Sequence, residues 1–214
     1  FQVLLVSATV LGSAHASSEE APATCSQRAS AECFHASDLP GGAGKLRYYA
    51  SRTPTQSTPA IDAALIILHG HPRDADRSFN AALKASKEAD QLGHTLVVAP
   101  VFQVPAEDAP RCRSRNTPAA QPGDALWSCG GWLSGAQSVN AGPHIHSFAA
   151  LDALIAELHR QWPQLKQVSL AGFSAGAQML QRSVAFAAKP PNGVTLRYVI
   201  ADPGSWLYFD PQRP

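Results

Sequence analysis

Four short, almost uninterrupted apolar runs constrain the fold of this chain more than any other feature. They are rich in Val, Ile, Leu and Ala, as is typical of strands buried on both faces of a parallel sheet. The runs are residues 63–68, 95–99, 167–171 and 194–201. Apolar residues recur at helical spacing between them, within residues 75–92, 148–162 and 175–188. This alternation predicts an α/β fold with a mostly parallel sheet flanked by helices.

The segments that precede the first run predict three parts of the chain. Residues 1–16 resemble the end of a secretory signal peptide with an Ala-His-Ala cleavage site, and an apolar strand or a short anchor helix is the alternative. The run is too short and too interrupted for a stable membrane span. Residues 17–44 are small and polar and predict an N-terminal arm, whereas residues 45–214 form the predicted domain. Within that domain residues 45–49 alternate in character, which predicts an edge strand.

Composition narrows the class of partner. The 214 residues are 45% hydrophobic and 15% charged, which is typical of one globular domain. The net charge of +1 gives no reason to expect a nucleic acid or an acidic membrane as a partner.

The four cysteines agree with export to a secreted or periplasmic location, where disulfides form. Cys25 and Cys33 lie close together, and Cys112 and Cys129 bracket a loop that is rich in proline and glycine. Four cysteines allow three pairings, of which these two local pairs close the smallest loops. A zinc site is the alternative, although no C-x-x-C spacing occurs.

A G-x-S-x-G pattern, Gly172-Phe-Ser-Ala-Gly176, follows the third apolar run and opens a predicted helix. Such a turn pushes the serine hydroxyl out over the edge of the sheet, and its flanking residues must be small. The helix dipole favours negative charge at this point. Ser174 is therefore the predicted nucleophile, and a glycine-rich packing turn with an idle serine is the alternative.

The stretch Leu68-His-Gly-His-Pro72 follows a neighbouring predicted strand at the same sheet edge. A loop of this kind can aim a backbone N–H at a developing oxyanion, and the residue after the nucleophile supplies a second N–H. The predicted oxyanion donors are the backbone N–H groups of His71 and Ala175, while a plain polar turn is the alternative. Asp74 and Asp76 are predicted to cap the helix that follows.

Three motifs together resemble the α/β-hydrolase superfamily, over residue 45 to the end of the chain. They are Ile66–Gly70 with Arg73–Arg77, then Ala171–Gly176, and then Val199–Tyr208. The nearest resemblance is to a secreted group of esterases similar to polyhydroxybutyrate depolymerases. It implies an α/β-hydrolase fold and cleavage of small or polymeric carboxylic esters through an acyl-enzyme on Ser174. It also implies that neither a metal nor an organic cofactor is required.

The chain departs from that family pattern after Ser174. The family order is serine, acid, histidine, yet all eight histidines precede Ser174, and the last of them, His159, lies on an apolar helix that suits a packing or surface role. Asp202 is the candidate acid, with a turn-forming Asp-Pro as the alternative. The family sheet also continues for at least two strands beyond residues 194–201. We therefore expect a fragment truncated at both ends that lacks the catalytic histidine and C-terminal strands, is inactive alone and aggregates or folds poorly.

The long irregular segment 101–146 predicts a functional loop, because segments of that length are uncommon in compact domains. Trp127 and Trp132 within it could form an exposed wall that grips an acyl chain or a polymer. They could equally anchor the loop to the core.

Two other classes of protein remain open from the sequence. A metallohydrolase could use the H-x-H pairs His69/His71 and His144/His146. A non-catalytic binding protein could keep the hydrolase scaffold without its histidine. Ser147 is a further local expectation, as the N-cap of the helix that starts at Phe148.

Overall fold

A six-stranded sheet organises the part of the chain that the computed structural model describes, residues 25–54 and 61–208. The predicted signal segment 1–16 and the start of the predicted arm lie outside these residues. The strands are β1 (Phe34–Asp38), β2 (Lys45–Ala50), β3 (Ala63–Leu68), β4 (Thr95–Val101), β5 (Gln167–Ser174) and β6 (Thr195–Pro203). The α-helices are α1 (Ala75–Glu88), α2 (Ser147–Gln161) and α3 (Ala175–Ser183).

The strand order is β1-β2-β4-β3-β5-β6, with β1, β2 and β4 paired antiparallel and β4, β3, β5 and β6 paired parallel. The four parallel strands are the four apolar runs of the sequence. Their order in space differs from their order in the chain, because β4 lies on one side of β3 whereas β5 and β6 lie on the other. The predicted fold class is confirmed.

The sheet begins earlier than the sequence predicted. Strand β1 falls within the range assigned to the arm and pairs with residues 45–49 of β2, so β2 lies inside the sheet and is not an edge strand. The short polar segment 34–38 carries no apolar run that could have predicted this. It is held by its pairing and by a ring contact of 4.8 Å between Phe34 and Tyr49.

Several predicted boundaries were also wrong. Strand β4 continues through Pro100. Its pairing with β3 ends at Val98, so no bond to β3 is lost because proline lacks an N–H. Helices α1 and α3 end at Glu88 and Ser183, several residues before the predicted ends.

The helix starts differ from prediction in their hydrogen bonds. Asp74 occupies the N-cap of α1 without a side-chain capping bond, and it accepts instead from the Gly70 N–H at 3.1 Å. Asp76 lies in the first turn and accepts from the Asn116 side chain at 3.2 Å. The N-cap of α2 is His146 rather than Ser147. The Asp74 and Asp76 carboxylates therefore accept hydrogen bonds from loop residues and do not cap the helix.

Successive residues along a strand belong alternately to two apolar clusters, one on each face of the sheet. Leu96 and Val98 of β4 belong to the cluster that packs under α2 and α3, whereas Val97 and Ala99 belong to the cluster under α1. This period of two is the signature of a strand buried on both faces. Strand β6 is different, since it lies at the edge of the sheet and Val199 is 56% exposed.

Both local disulfides are formed, Cys25–Cys33 and Cys112–Cys129, which selects one of the three pairings that the sequence left open. Within residues 25–54 and 61–208, none of the helices has the length and apolar character needed to cross a membrane.

Candidate active site

Ser174 lies in a strained turn between β5 and α3. Its backbone has φ 54° and ψ −120°, a region that residues with a side chain rarely adopt. Helix α3 begins at the next residue, so its positive dipole end lies beside the serine, which is partly exposed. The G-x-S-x-G pattern has therefore produced the sharp strand-to-helix turn that its chemistry needs.

The two glycines of the motif allow the backbones to approach closely. A Cβ at Gly172 would lie 2.5 Å from the carbonyl carbon of Gly176. A Cβ at Gly176 would lie 2.7 Å from the Leu68 carbonyl oxygen and 2.8 Å from that of His69. The first turn of α3 thus packs directly against the end of β3.

This contact brings the two predicted oxyanion donors to the same edge. The parallel register pairs Leu68 with Gly172, so the loops that follow β3 and β5 leave the sheet side by side. Ala175 is the first residue of α3, where backbone N–H groups have no partner within the helix. His71 is exposed, on the loop that leaves β3. We name residues 69–74 the oxyanion loop.

His69 is a structural residue of this loop. Its ring is completely buried, its Nε2 accepts from the Phe102 N–H at 3.2 Å, and its Nδ1–H donates to the Gly70 carbonyl at 2.8 Å. Burial, together with the neighbouring Arg73 charge, lowers the pKa of His69 to about 4. The imidazole is therefore neutral at pH 7 with both nitrogens occupied, which removes it as a metal ligand and with it the first H-x-H pair.

Three other described histidines lie on other parts of the fold. His94 contacts Asp62 at the opposite end of β3, with 3.1 Å between Nδ1 and Oδ1. The Nδ1 of His146 bonds the Gly135 carbonyl at 2.8 Å, and His159 is half-buried on α2. In the described ranges, no histidine forms a hydrogen bond with Ser174, and no three His, Cys, Asp or Glu side chains are grouped to hold a metal ion.

Trp127 and Trp132 anchor the long loop to the core, and the expectation of an exposed substrate wall was wrong. Both side chains are 0% exposed. Phe102 stacks on Trp132 with ring centroids 5.6 Å apart and meets the edge of Trp127 at 5.3 Å. Trp132 also lies 4.5 Å from the His69 ring, so the loop is fastened beneath the candidate site.

Asp202 lies beside Ser174 along the sheet. The register of β5 and β6 pairs Phe173 with Ala201 and Ser174 with Pro203, so Asp202 is the extra residue of a bulge. Its backbone has φ 46°, and the residue is exposed. Its role as the acid stays a prediction.

Arg73 was given no role of its own by the sequence, yet it is only 2% exposed. An arginine between a proline and the start of a charged helix gave no sign of burial. Only the fold shows that its guanidinium points under the oxyanion loop to the Cys112 carbonyl, 3.0 Å away.

The chain has an α/β-hydrolase fold. The fold is defined by the strand order, with β4, β3, β5 and β6 parallel, and by the strained serine between β5 and α3.

No protein-family model matches the chain, and no curated protein matches it. A poly(3-hydroxybutyrate) depolymerase from Bordetella parapertussis has a similar solved structure, with 19% identity, a TM-score of 0.46 and coverage of 80% of this chain and 50% of that one. An α/β serine hydrolase without lid from Xanthomonas campestris gives 18% identity, a TM-score of 0.45 and coverage of 85% and 66%.

The chain therefore spans between half and two thirds of the length of these two structures. An α/β serine hydrolase homologue from Coxiella burnetii gives 19% identity and a TM-score of 0.39, with coverage of 72% and 55%. The assignment of the fold rests on the topology and the turn geometry of the chain itself.

Proposed function

We propose that the protein is a serine hydrolase that cleaves small or polymeric carboxylic esters through an acyl-enzyme on Ser174. The observation that carries the proposal is the strained backbone of Ser174, which lies between Gly172, packed against the first turn of α3, and Gly176, packed against the end of β3. Strain of this kind is kept where the surrounding structure enforces it, and it clusters at catalytic sites. The proposed chemistry needs no metal and no organic cofactor.

In the proposed mechanism the Ser174 Oγ attacks the ester carbonyl carbon while a general base takes its proton. The N–H groups of His71 and Ala175 donate to the oxyanion that forms. Collapse of the tetrahedral intermediate expels the alcohol, which takes the proton, and water then cleaves the acyl-enzyme to release the acid. Asp202 is the proposed residue that orients the base. None of the described histidines is proposed as that base.

We place the protein outside the cytoplasm, in the periplasm or secreted, because disulfides such as Cys25–Cys33 persist in oxidising compartments.

The test is an assay of the product of the complete reading frame with p-nitrophenyl acetate and p-nitrophenyl butyrate. Ser174→Ala should lower kcat by about 1,000-fold or more. Ser169→Ala is the matched control on the same strand, and its kcat should stay within about twofold of the wild type. A fluorophosphonate probe should label Ser174 and no other residue. Equal turnover by Ser174→Ala and the wild type would refute the proposal.

A non-catalytic binding protein on a hydrolase scaffold is the second candidate. It is favoured by the absence, within residues 25–54 and 61–208, of a histidine bonded to Ser174. That candidate predicts saturable binding of an ester such as p-nitrophenyl butyrate with neither turnover nor labelling by the fluorophosphonate probe.

A further inference from the structure

The oxyanion loop is fastened from below by the buried Arg73. The Arg73 N–H donates to the Gly70 carbonyl at 3.0 Å, which closes a turn around His71 and Pro72. Its φ of 57° is left-handed, a conformation that an arginine adopts only when its surroundings hold it there. The contacts of the Arg73 side chain and of the loop backbone hold this conformation.

Those contacts reach one segment, residues 103–117. The Arg73 Nε donates to the Cys112 carbonyl at 3.0 Å, and its Nη1 donates to the Gln103 Oε1 at 2.9 Å. In the described part of the chain, no carboxylate lies within ion-pair distance of Arg73. The Arg73 guanidinium is therefore held by directional hydrogen bonds to neutral oxygens and not by an ion pair. Such bonds fix the orientation of a side chain, as a positioning role requires.

Burial and the charge of Arg113 lower the pKa of Arg73 to about 10, so the guanidinium still carries its proton at pH 7. All of its donors therefore remain available.

The same segment also holds the backbone of the loop. The Ser114 N–H donates to the Pro72 carbonyl at 2.7 Å. The Thr117 hydroxyl lies 3.1 Å from the carbonyls of both Pro72 and Arg73. Residues 72 and 73 are thus tied to the segment through backbone and side chain together.

The segment is itself anchored at two points, Cys112 and Gln103. The disulfide of Cys112 to Cys129 spans 17 positions, and Cys112 is the residue whose carbonyl accepts from Arg73. At the other end the Gln103 carbonyl accepts from the N–H of the buried Trp127 at 2.8 Å. The acceptors of Arg73 are therefore anchored to a covalent bridge and to the core.

We propose that Arg73 is a positioning residue, whose guanidinium fixes the oxyanion loop to residues 103–117, a segment that the Cys112–Cys129 disulfide anchors, and so holds the His71 N–H in place. The role in catalysis rests on the proposed function, whereas the positioning of the loop does not. An oxyanion donor contributes only when it is aimed before the charge develops, so a loosened loop lowers kcat more than it raises KM.

The test measures hydrogen exchange by mass spectrometry for the peptide over residues 69–74, beside ester kinetics, on the product of the complete reading frame. Arg73→Met should speed exchange of this peptide by about 10-fold or more while the α2 peptide, residues 147–161, stays unchanged. The same variant should lower kcat by about 100-fold and leave KM within about threefold. Arg73→Lys should rescue only part of either loss, because an ammonium cannot reach both acceptors in the guanidinium geometry.

Arg111→Met is the matched control, since Arg111 is an exposed arginine of the same segment that pairs with Asp108 instead of the loop. It should change neither readout. Should Arg73→Met fail to fold, Gln103→Met removes one acceptor only, and it should speed exchange of the 69–74 peptide to a smaller extent.

Unchanged exchange of the 69–74 peptide in a folded Arg73→Met protein would overturn the proposal. A rise that is equal in the α2 peptide would overturn it too, because the effect would then be global. If exchange responds as expected while Ser174→Ala keeps full activity, the positioning of the loop stands and the proposed function fails.

Discussion

The buried imidazole of His69 makes the stability of the protein depend on pH in a window that can be stated in advance. Its pKa is lowered from 6.5 to about 4 in the folded protein. Between pH 6.5 and about pH 4, His69 is therefore protonated in the unfolded chain but neutral in the folded protein. The free energy of unfolding should be at its full value above pH 6.5, fall progressively as the pH drops towards 4, and level off below.

The size of this loss follows from the shift. A difference of about 2.5 pKa units at 1.36 kcal/mol per unit corresponds to roughly 3 kcal/mol. The ring is completely buried, so solvent does not screen the effect. Protonation would also turn Nε2 into a donor and break its bond with the Phe102 N–H.

The assay is urea unfolding at several pH values between 4 and 7.5, for the wild type and for His69→Gln. Glutamine offers one acceptor and one donor group but does not titrate. The carboxylates titrate alike in both proteins, so the difference between the two curves isolates His69. The stability advantage of the wild type should shrink by roughly 3 kcal/mol between pH 6.5 and pH 4.

The control is His144→Gln, since His144 is exposed and its substitution should change the free energy of unfolding by no more than about 0.5 kcal/mol. Parallel curves for His69→Gln and the wild type over the whole range would refute the reasoning. So would a His69 resonance that titrates near pH 6.5 in an NMR experiment.

Two substitutions in the candidate site test its backbone geometry. Gly176→Ala should destabilise the protein by about 2 kcal/mol, because the new Cβ would overlap the Leu68 and His69 carbonyl oxygens. Gly93→Ala is its control, with nothing within 4 Å of the added carbon, and urea unfolding should show at most a small change for it. Ser174→Gly should raise the free energy of unfolding by about 1 kcal/mol, since glycine relieves the strain at φ 54°. A thermal melt of Ser174→Gly that is no higher than that of Ser174→Ala would contradict the assignment of strain.

The sheet was predictable wherever strands are buried on both faces. Strands β3 to β5 are apolar runs because neither of their faces can carry a polar residue at low cost. Strand β6 also has an apolar run, although it lies at the edge of the sheet. Strand β1 could not be found in this way, since Phe34-His-Ala-Ser-Asp38 has no such run and becomes a strand only by pairing with β2.

The predicted helix caps were wrong for a related reason. Asp74 and Asp76 have the right residue type, but tertiary partners take their carboxylates.

The candidate site, like the sheet, was predictable from the sequence only in part. Spacing alone predicted the turn at Ser174, because only small neighbours fit there. It could not predict that His69 and Arg73 are buried, because their partners Phe102 and Cys112 lie more than thirty positions further along the chain. The choice between an exposed and an anchored role for Trp132 likewise depended on its packing against Phe102, which composition does not contain.

The contact between Gly176 and the carbonyls at the end of β3 also bears on the order of folding. Leu68 and Gly176 are about 100 residues apart in the chain, yet their backbones touch. Bringing them together requires β3 and β5 to pair over a long loop, which is a slow step with a large entropic cost. We therefore expect the serine turn and the oxyanion loop to be completed together, by the pairing of β3 with β5. A partly folded chain would hold neither half in working form, and the candidate site would arise all at once.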